Sequence, residues 1–515
     1  MKPGLLICLL MVTAAGAIWA GRSMGQAPVR VASKPFTESV ILGEMVRQLV
    51  DITGVDCTHR AQLGGTRVLW NALLAGDIDI YPEYTGTITH ELLRNLAGTD
   101  MDHLRNALRS MGIGMTDPLG FNNTYAIGVL RKTADRLHLS AISDLRGHAK
   151  LRYGFTNEFM DRGDGWPSLR TTYGLTGVDV RGLNHDVAYQ ALATGNIDVT
   201  DLYSTDAKIR KYDITVLDDD RHHFPTYNAV VLYRLDLADS HPSVIAALSQ
   251  LAGTLDARGM IALNAAVELD GRTESQAAAT FLTDTIGADS HPASQSVSEM
   301  IIRRTREHLF LVCTSLLAAI LVAVPLGIIA AHRPKLGHVI LGVTGIIQTI
   351  PALALLVLLM QPLTMLGLPG IGEWPAIVAL FLYCLLPIVR NTCVGLQSIA
   401  LPLRESADAL GLPPAAKLRL IELPLAMRTM LAGIKTAAVI NVGFATLGAL
   451  IGAGGYGQPI LTGIRLQNYG LIMRGAIPAA VLAIVVQGGF DLLERWLVPA
   501  GLRRTTPQPA TPRSA

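Results

Sequence analysis

The hydrophobic pattern of the chain changes near residue 300. Before that point polar and apolar residues alternate over short distances, as they do in strands and amphipathic helices. After it come long apolar runs with few charges, most of them near the roughly 20 residues that a helix needs to cross a bilayer. The predicted spans are residues 309–331, 339–360, 374–389, 430–451 and 475–493. The pattern predicts an α/β domain followed by an all-α domain with five spans. We expect Pro325, Pro351, Pro387 and Pro478 to be accommodated within these spans, because packed neighbours can satisfy the freed backbone groups.

The first 27 residues have the composition of an export signal. Lys2 precedes an apolar run that ends at Ala20, and small and polar residues continue to Ala27. Two interpretations stay open, a signal peptide cleaved after Ala20 or Ala27 and an uncleaved anchor helix, and either one exports the domain that follows. The predicted segments are the signal or anchor 1–27, the α/β domain 28–290, a linker 291–307, the membrane domain 308–500 and a cytoplasmic tail 501–515.

Basic residues predict the orientation of the membrane domain. They concentrate in every second polar segment, with Arg333 and Lys335 in the first and Arg404 and Lys417 in the third. Cytoplasmic segments carry this excess of Lys and Arg, so residues 405–424 are expected in the cytoplasm. The α/β domain is then expected on the extracytoplasmic side of the membrane.

An internal repeat divides the α/β domain. Residues 72–87 (ALLAGDIDIYPEYTGT) match residues 191–206 (ALATGNIDVTDLYSTD), so that Gly76, Asp79 and Tyr84 correspond to Gly195, Asp198 and Tyr203. Each copy has the pattern of a helix, a Gly stop, a short strand and a loop with a Tyr. Two similar lobes facing a cleft are predicted, because open α/β sheets bind ligands beyond the carboxyl ends of their strands.

A second repeat predicts the hinge between the lobes. Residues 121–131 (FNNTYAIGVLR) and 224–234 (FPTYNAVVLYR) each begin with Phe, reach a Tyr and continue as an apolar strand. We interpret them as two strands that cross between the lobes. The lobes would be residues 29–126 with 230–290, and 127–229.

The candidate chemistry is limited. The sequence has no Gly-Lys dipeptide and therefore no P-loop, and neither a metal-ligand spacing nor a basic patch typical of nucleic-acid binding is present. One Cys in the α/β domain cannot form an internal disulfide, and the adjacent pair His222-His223 lacks a third ligand. We therefore predict no catalytic residues, no metal, no cofactor in this chain and no nucleic-acid partner.

Four tyrosines occupy matched places in the repeats, namely Tyr84, Tyr203, Tyr125 and Tyr227. Each could be an ordinary core aromatic. Four of them at one cleft suit a quaternary ammonium ion, which cannot donate a hydrogen bond and is held by aromatic faces. Lys34 and Arg162 could supply positive charge to an anionic end of the ligand.

Residues 405–424 (ESADALGLPPAAKLRLIELP) form a polar, basic stretch between two apolar runs. The spacing of Glu405, Ala407, Gly411 and Pro424 resembles the coupling loop of ABC importer permeases, which docks on a separate ATPase. An ordinary cytoplasmic loop is the alternative interpretation.

Residues 30 to about 500 resemble the glycine betaine, choline and carnitine ABC importers of the bacterial inner membrane, of the ProX and OpuC type. ASKPFTESVILGEM, LGGT, DIYPEYTGT, FNNTYA, EFMDRGDG, YSTD and FPTY resemble, in order, their binding protein, while VPLGI, IQTIPALALL, FLYCLLPIVRNT and IGAGGYG resemble their permease. The resemblance implies a type II periplasmic binding fold fused to a five-span permease that forms a homodimer in the bilayer and uses a separate ABC ATPase subunit, which consumes the ATP.

The resemblance also assigns site residues. It places Tyr84, Tyr125, Tyr203 and Tyr227 in an ammonium cage and Lys34, Thr87 and Arg162 at the ligand carboxylate. Two features depart from the family: the binding domain precedes the permease, and Ser39 stands where Gln is common. The expected function is import of a quaternary ammonium osmoprotectant. Another betaine-like cargo such as ergothioneine, or a membrane sensor that binds the same cation, stays open.

Overall fold

The computed structural model describes residues 28–93, 100–148, 150–163, 165–288, 296–466 and 468–498. The predicted signal or anchor and the predicted tail lie outside the described residues. The described chain forms two compact units, one up to residue 288 and one from residue 296.

Ten strands in the described part of the first unit form two sheets of five. The strands are β1 Val29–Ala32, β2 Cys57–Arg60, β3 Ile80–Tyr84, β4 Ile113–Met115, β5 Tyr125–Leu130, β6 Arg152–Thr156, β7 Asp179–Leu183, β8 Val199–Tyr203, β9 Ile214–Leu217 and β10 Ala229–Arg234. One sheet has the order β2-β1-β3-β10-β4 and the other β7-β6-β8-β5-β9. In both, the first three strands are parallel and the fourth is antiparallel to its neighbours.

The two sheets therefore repeat one arrangement, as the sequence repeat predicts. β3 and β8 hold the same position, and each is preceded by a helix that ends at a left-handed Gly, Gly76 with φ 74° and Gly195 with φ 71°. The equivalent strands β1 and β6, second in the order of each sheet, are held by equivalent ion pairs. Arg30 Nη2 contacts Asp79 Oδ1 at 2.7 Å, and Arg152 Nη2 contacts Asp198 Oδ1 at 3.1 Å.

The predicted crossing strands are β5 and β10. Their leading segments run antiparallel through a bridge between Asn122 and Asn228. The Asn123 amide donates to the Tyr227 carbonyl at 3.0 Å. β5 then enters one sheet and β10 the other, so the two connections lie side by side where the halves of the unit meet.

Helices cover the faces of the two sheets. Around the second sheet, Tyr153, Phe155, Phe159 and Trp166 form a buried aromatic core with Leu169. The helices of this unit are Thr37–Ile52, Thr66–Ala75, Thr85–Thr87, Ile88–Leu92, Met101–Ser110, Arg131–Leu137, Ile142–Gly147, Asn157–Asp161, Trp166–Tyr173, His185–Ala193, Lys208–Lys211, Leu235–Ser240, Pro242–Ser249, Ala257–Glu268, Glu274–Phe281 and Leu282–Ile286.

The described part of the second unit is helical. Its helices are Val297–His332, Pro334–Thr349, Ala352–Met365, Glu373–Gln397, Leu401–Ala409, Pro414–Lys417, Leu418–Glu422, Leu423–Phe444, Ala445–Ile451, Gly457–Arg465 and Tyr469–Leu497. The first of them begins at Val297, inside the predicted linker. Its start is fixed by a capping box, in which Ser296 Oγ accepts from the Glu299 amide and Glu299 Oε2 accepts from the Ser296 amide.

Among the described residues, four helical segments are long and apolar enough to cross a membrane, or five if one bent pair counts as a single span. That pair, Pro334–Thr349 and Ala352–Met365, is bent by 104°. The predicted span 339–360 is therefore broken at Pro351. Proline disfavours helical geometry in the residue before it, and Ile350 is extended with ψ 126°. The Tyr383 hydroxyl donates to the freed carbonyl of Ile350.

The long helices of this unit pack through small and polar side chains. A Cβ added at Gly327 would lie 2.5 Å from Cβ of Thr392 on the neighbouring helix, so the backbones approach closely there. Asn441 and Ser315 are also buried, and Asn441 Nδ2 donates to Ser315 Oγ at 2.7 Å. Such contacts hold helices together where lipid removes the hydrophobic driving force between them.

Candidate functional site

The strand register brings the predicted tyrosines to equivalent positions. Tyr84 is the last residue of β3, opposite Ala229 of β10, and Tyr203 is the last residue of β8. Tyr203 pairs directly with Tyr125, the first residue of β5. Side chains at the carboxyl ends of strands lie at the sheet edge where open α/β folds bind ligands.

Three of the four tyrosines meet around Arg162. The rings of Tyr125 and Tyr203 have centroids 5.0 Å apart, and their hydroxyl oxygens lie 3.3 Å apart. Arg162 Cζ lies 5.3 Å from the centre of the Tyr125 ring, and Arg162 Nη2 donates to the Tyr227 hydroxyl at 2.9 Å. The predicted carboxylate-binding Arg and three predicted cage residues thus form one cluster.

Tyr84 lies with the second predicted cation. Its ring stacks on Phe36 at a centroid distance of 6.3 Å, and Lys34 Nζ lies 5.6 Å from its centre. The predicted residue Thr87 is buried in the one-turn helix Thr85–Thr87 that follows Tyr84. Gly86 in the same turn connects the two groups, because a Cβ there would lie 2.5 Å from the Tyr227 ring. The turn after β3 therefore packs directly on the Arg162 cluster.

Lys34 is held by a buried carboxylate. Its Nζ donates to Oε1 of Glu83, which also accepts from the Tyr84 amide at 2.9 Å. Burial raises the pKa of Glu83, and the charge of Lys34 only partly offsets this effect. Lys34, which the sequence predicts as a positive charge for the ligand, is therefore paired with Glu83 in the structure.

Glu38 is a central residue that the sequence analysis does not identify. Its Oε1 accepts from the Tyr84 hydroxyl and from Asn123 Nδ2 at 2.7 Å. Its Oε2 accepts from Thr205 Oγ1 at 2.5 Å and Asn264 Nδ2 at 3.3 Å. All four donors are neutral groups, and burial raises the pKa of this carboxyl. A Glu in the first turn of a helix is too common to signal such a role from sequence.

A buried chain of hydrogen bonds, which we call the relay, holds Ser33 at the end of β1, just before Lys34. Glu44 Oε1 contacts His59 Nδ1 at 2.7 Å, and His59 Nε2 contacts Ser33 Oγ at 2.8 Å. The order resembles a hydrolase triad, but Ser33 is 0% exposed, so a substrate cannot reach its hydroxyl. The relay ties β1 to β2 and to the helix Thr37–Ile52.

The histidine pair shows no metal-site geometry in the structure. Within the described residues, no group of three or more His, Cys, Asp or Glu side chains could hold a metal ion. His223 contacts Ser168 Oγ at 3.3 Å and Thr172 Oγ1 at 3.1 Å, and His222 lies in a turn with φ 49°.

The four residues predicted to couple to an ATPase lie in one helix-turn-helix segment. The helix Leu401–Ala409 carries exposed Glu405 and buried Ala407, and Gly411 makes the turn with φ 65°. Pro424 lies in the first turn of the helix Leu423–Phe444. The segment therefore consists of one short helix, the turn at Gly411 and the start of the helical stretch that continues from Pro414 to Ile451.

The segment is braced on one side and exposes apolar residues on another. Lys417 Nζ donates to Asp408 Oδ1 at 2.7 Å across the turn, and buried Glu422 contacts His332 Nε2 at 3.0 Å. Leu403 and Leu410 are 49% and 76% exposed. An exposed apolar face on a braced segment is typical of a protein-docking surface.

Comparisons with known proteins match both units. The substrate-binding domain of ABC-type glycine betaine transport systems matches residues 27–284, and the binding-protein-dependent transport system inner membrane component matches residues 323–500. The choline transport system permease protein OpuBB of Bacillus subtilis is 41% identical over 204 residues, which are 40% of this chain and 91% of that protein. The osmoprotectant import permease protein OsmW of Salmonella typhimurium is 39% identical over 199 residues, covering 39% of this chain and 92% of that protein.

A crystal structure of a glycine betaine/carnitine/choline ABC transporter is 31% identical, with a TM-score of 0.46, and covers 50% of this chain and 98% of that chain. The two family matches and the permease relatives define the class of this protein. It belongs to the ABC-type glycine betaine transport family, with a periplasmic binding protein fold of two mixed sheets joined in one chain to a helical permease domain.

Proposed function

We propose that this chain captures a quaternary ammonium compound and passes it through the membrane, driven by a separate ABC ATPase. The observation that carries the proposal is the presence, in one chain, of the glycine betaine binding family and the permease family, with four tyrosines at the predicted cleft. The cargo is of the glycine betaine, choline or carnitine type.

The charge around the tyrosines supports a cationic ligand. Glu38 accepts a hydrogen bond from the neutral Tyr84 hydroxyl and has no cationic partner among its four donors. The two cations nearby are already balanced, because Lys34 is paired with Glu83 and Arg162 with Glu91. Aromatic faces attract a quaternary ammonium ion through the negative charge of the ring. In this proposal Tyr84, Tyr125, Tyr203 and Tyr227 hold the ammonium group, and Lys34, Thr87 and Arg162 contact the ligand carboxylate where one is present.

The architecture is proposed to be a type II binding fold. The order β2-β1-β3-β10-β4, in which a late strand enters the first sheet, supports this class. The proposed limits are 28–290 for the binding domain, with lobes 29–126 plus 230–290 and 127–229, and 308–500 for a five-span permease. The binding domain would be extracytoplasmic, and fusion would keep it at high effective concentration near its translocator.

The cytoplasmic segment 405–424 is proposed to dock on the ATPase. Exposed Leu410 in this segment, with exposed Leu403 just before the segment on the helix Leu401–Ala409, would enter the ATPase surface. Glu405, Ala407, Gly411 and Pro424 would set the shape of the segment. Two copies of the permease domain would form the pore as a homodimer. ATP is consumed by the partner subunit.

Binding and transport can be tested separately. The full chain in lipid nanodiscs is first tested for binding of radiolabelled choline, glycine betaine, carnitine, ergothioneine and, as controls, amino acids. The chain is then reconstituted in liposomes with an ABC ATPase subunit from the same organism, and uptake is measured with and without ATP. Binding and ATP-dependent uptake of a quaternary ammonium compound support the proposal. Binding without any uptake would point to a sensor instead.

A further inference from the structure

Glu91 contacts the guanidinium that the proposed function assigns to the ligand carboxylate. Arg162 Nη1 donates to Glu91 Oε1 at 2.5 Å, while Arg162 Nη2 donates to the Tyr227 hydroxyl at 2.9 Å. The same guanidinium lies 5.3 Å from the centre of the Tyr125 ring. Glu91 therefore shares one cation with two of the four proposed cage tyrosines.

The Glu91–Arg162 pair joins the two halves of the binding unit. Glu91 lies on the π-helical turn Ile88–Leu92 that follows β3, and Arg162 directly follows the helix Asn157–Asp161 after β6. The position of the Glu91 backbone is fixed by Arg67, whose Nη2 donates to its carbonyl oxygen. The carboxylate is thus presented to the cleft from a braced turn.

The pair is sheltered from water. The Arg162 and Glu91 side chains are 14% and 25% exposed. Charges at such depth interact more strongly than they do at the open surface, because little water screens them. A ligand carboxylate at Arg162 would therefore meet the negative charge of Glu91 on the same guanidinium, and like charges that share a site disfavour each other.

Resting on the proposed function, we propose that Glu91 determines which quaternary ammonium compounds this cleft prefers. Its carboxylate opposes ligands that carry their own carboxylate and favours cations that lack one, such as choline. A ligand without a carboxylate leaves the Arg162–Glu91 pair intact, so the positive charge of Arg162 near the ammonium group stays balanced. A betaine must share the guanidinium with Glu91 or displace it.

Glu158 provides a matched control on the same cation. Its Oε1 lies 3.7 Å from Arg162 Nη1, but its side chain is 62% exposed. Water screens an exposed carboxylate far more than a sheltered one. Glu91 and Glu158 therefore place the same charge near the same guanidinium atom, one sheltered and one exposed to water.

The experiment measures equilibrium binding of radiolabelled choline and glycine betaine to the full chain in lipid nanodiscs. Glu91→Gln should make glycine betaine bind more tightly and choline bind more weakly, so that the ratio of the two Kd values changes by about tenfold. Glu91→Asp, which keeps the charge, should retain the original ratio, and Glu158→Gln should change it by less than about twofold.

Opposite changes for the two ligands in Glu91→Gln support the inference, because a purely structural defect would weaken both. Parallel changes, loss of both ligands or no change at all would overturn it. If the unmodified chain binds neither compound, the proposed function itself fails. If the unmodified chain binds both and the ratio stays fixed in Glu91→Gln, only the role of Glu91 is rejected.

Discussion

The hydroxyl of Tyr84 donates a hydrogen bond to Oε1 of Glu38, and this contact fixes a proposed ligand-binding ring to a fully buried carboxyl group. The other oxygen accepts from Thr205, two residues after Tyr203. Glu38 thereby links the end of β3 in one sheet to the loop that follows β8 in the other. Its effect on binding should exceed that of an ordinary helix-terminal Glu.

Glu38→Gln should weaken the binding of choline and glycine betaine alike and lower the midpoint of thermal unfolding. The amide places a donor where an oxygen accepts two hydrogen bonds, and a buried mismatch of this kind costs about 1–3 kcal/mol. Fluorescence melts and radioligand binding of the full chain measure both effects. Asp102→Asn, on a side chain that is 90% exposed in the first turn of another helix, should change neither. An unaltered midpoint and Kd in Glu38→Gln would remove Glu38 from the site.

The Tyr125 ring, more than its hydroxyl, should carry its share of binding. Tyr125→Ala should weaken every quaternary ammonium ligand by about 0.5–2 kcal/mol, the value of one cation–π contact. Tyr125→Phe keeps the ring and removes only the 3.3 Å contact with the Tyr203 hydroxyl. Its Kd should stay within about twofold of the original. Equal losses in the two variants would argue against an aromatic cage.

Arg162→Ala should distinguish the two ends of a betaine. The binding free energy of glycine betaine should weaken by on the order of 2–5 kcal/mol, the range for truncating one partner of a buried charged pair. Choline binding should weaken much less, because choline has no carboxylate. Arg152→Ala is the matched control. It removes an Arg held by Asp198 in the second sheet, at a position whose side chain is 48% exposed. Equal losses for choline and betaine in Arg162→Ala would mean that this Arg supports the structure and does not read the carboxylate.

Gly411→Asp should abolish uptake and ATPase stimulation while ligand affinity stays unchanged. A Cβ at Gly411 meets no atom within 4 Å, so the effect cannot come from a clash inside the segment. Both Asp and Asn tolerate the left-handed conformation at φ 65° better than most residues. Gly411→Asn therefore controls for the backbone, and it should retain more uptake because it adds no charge to the docking surface. Normal uptake in Gly411→Asp would contradict the importer function.

Glu44 should make the binding unit sensitive to acid. Burial alone raises the pKa of this carboxyl, but the hydrogen bond and charge of His59, with the charge of Arg47, outweigh it and hold the pKa at about 2. Since this lies below the ordinary value of 4.5, the stabilisation is complete above pH 4.5 and is lost as the pH falls toward 2. The contribution is of the order of 3 kcal/mol.

The test for Glu44 compares melting curves across that acidic range. Glu44→Gln should melt earlier at neutral pH and lose part of the acid-dependent fall in its thermal midpoint. Asp102→Asn should keep the original pH profile. An identical profile in Glu44→Gln would show that the His59 pair does not contribute to stability.

Much of the fold could be predicted because it depends on local patterns. The repeat of Gly76 and Tyr84 in Gly195 and Tyr203 predicts two equivalent halves, and the structure confirms them as β3 and β8 with their preceding helices. The turn at residue 411 also depends on a local feature, since its φ of 65° favours Gly.

What the sequence analysis missed depends on contacts between distant residues. Glu38 binds Asn264, and Glu91 binds Arg162, over separations that composition and spacing do not encode. The break at Pro351 was also missed, because proline can be housed in a membrane helix or can end one, and the outcome depends on neighbours such as Tyr383. The ligand roles of the four tyrosines and of Lys34, Thr87 and Arg162 stay predictions.

The equivalent ion pairs of Arg30 with Asp79 and Arg152 with Asp198 have a mechanical consequence. Each joins one strand of its half, β1 or β6, to the residue that leads into the neighbouring parallel strand, β3 or β8. The halves are therefore expected to move as rigid bodies, with bending confined to the paired connections at Asn122 and Asn228. Opening and closing would then be a hinge motion with a fixed axis, and the ring of Tyr84 would travel with one body while that of Tyr203 travels with the other.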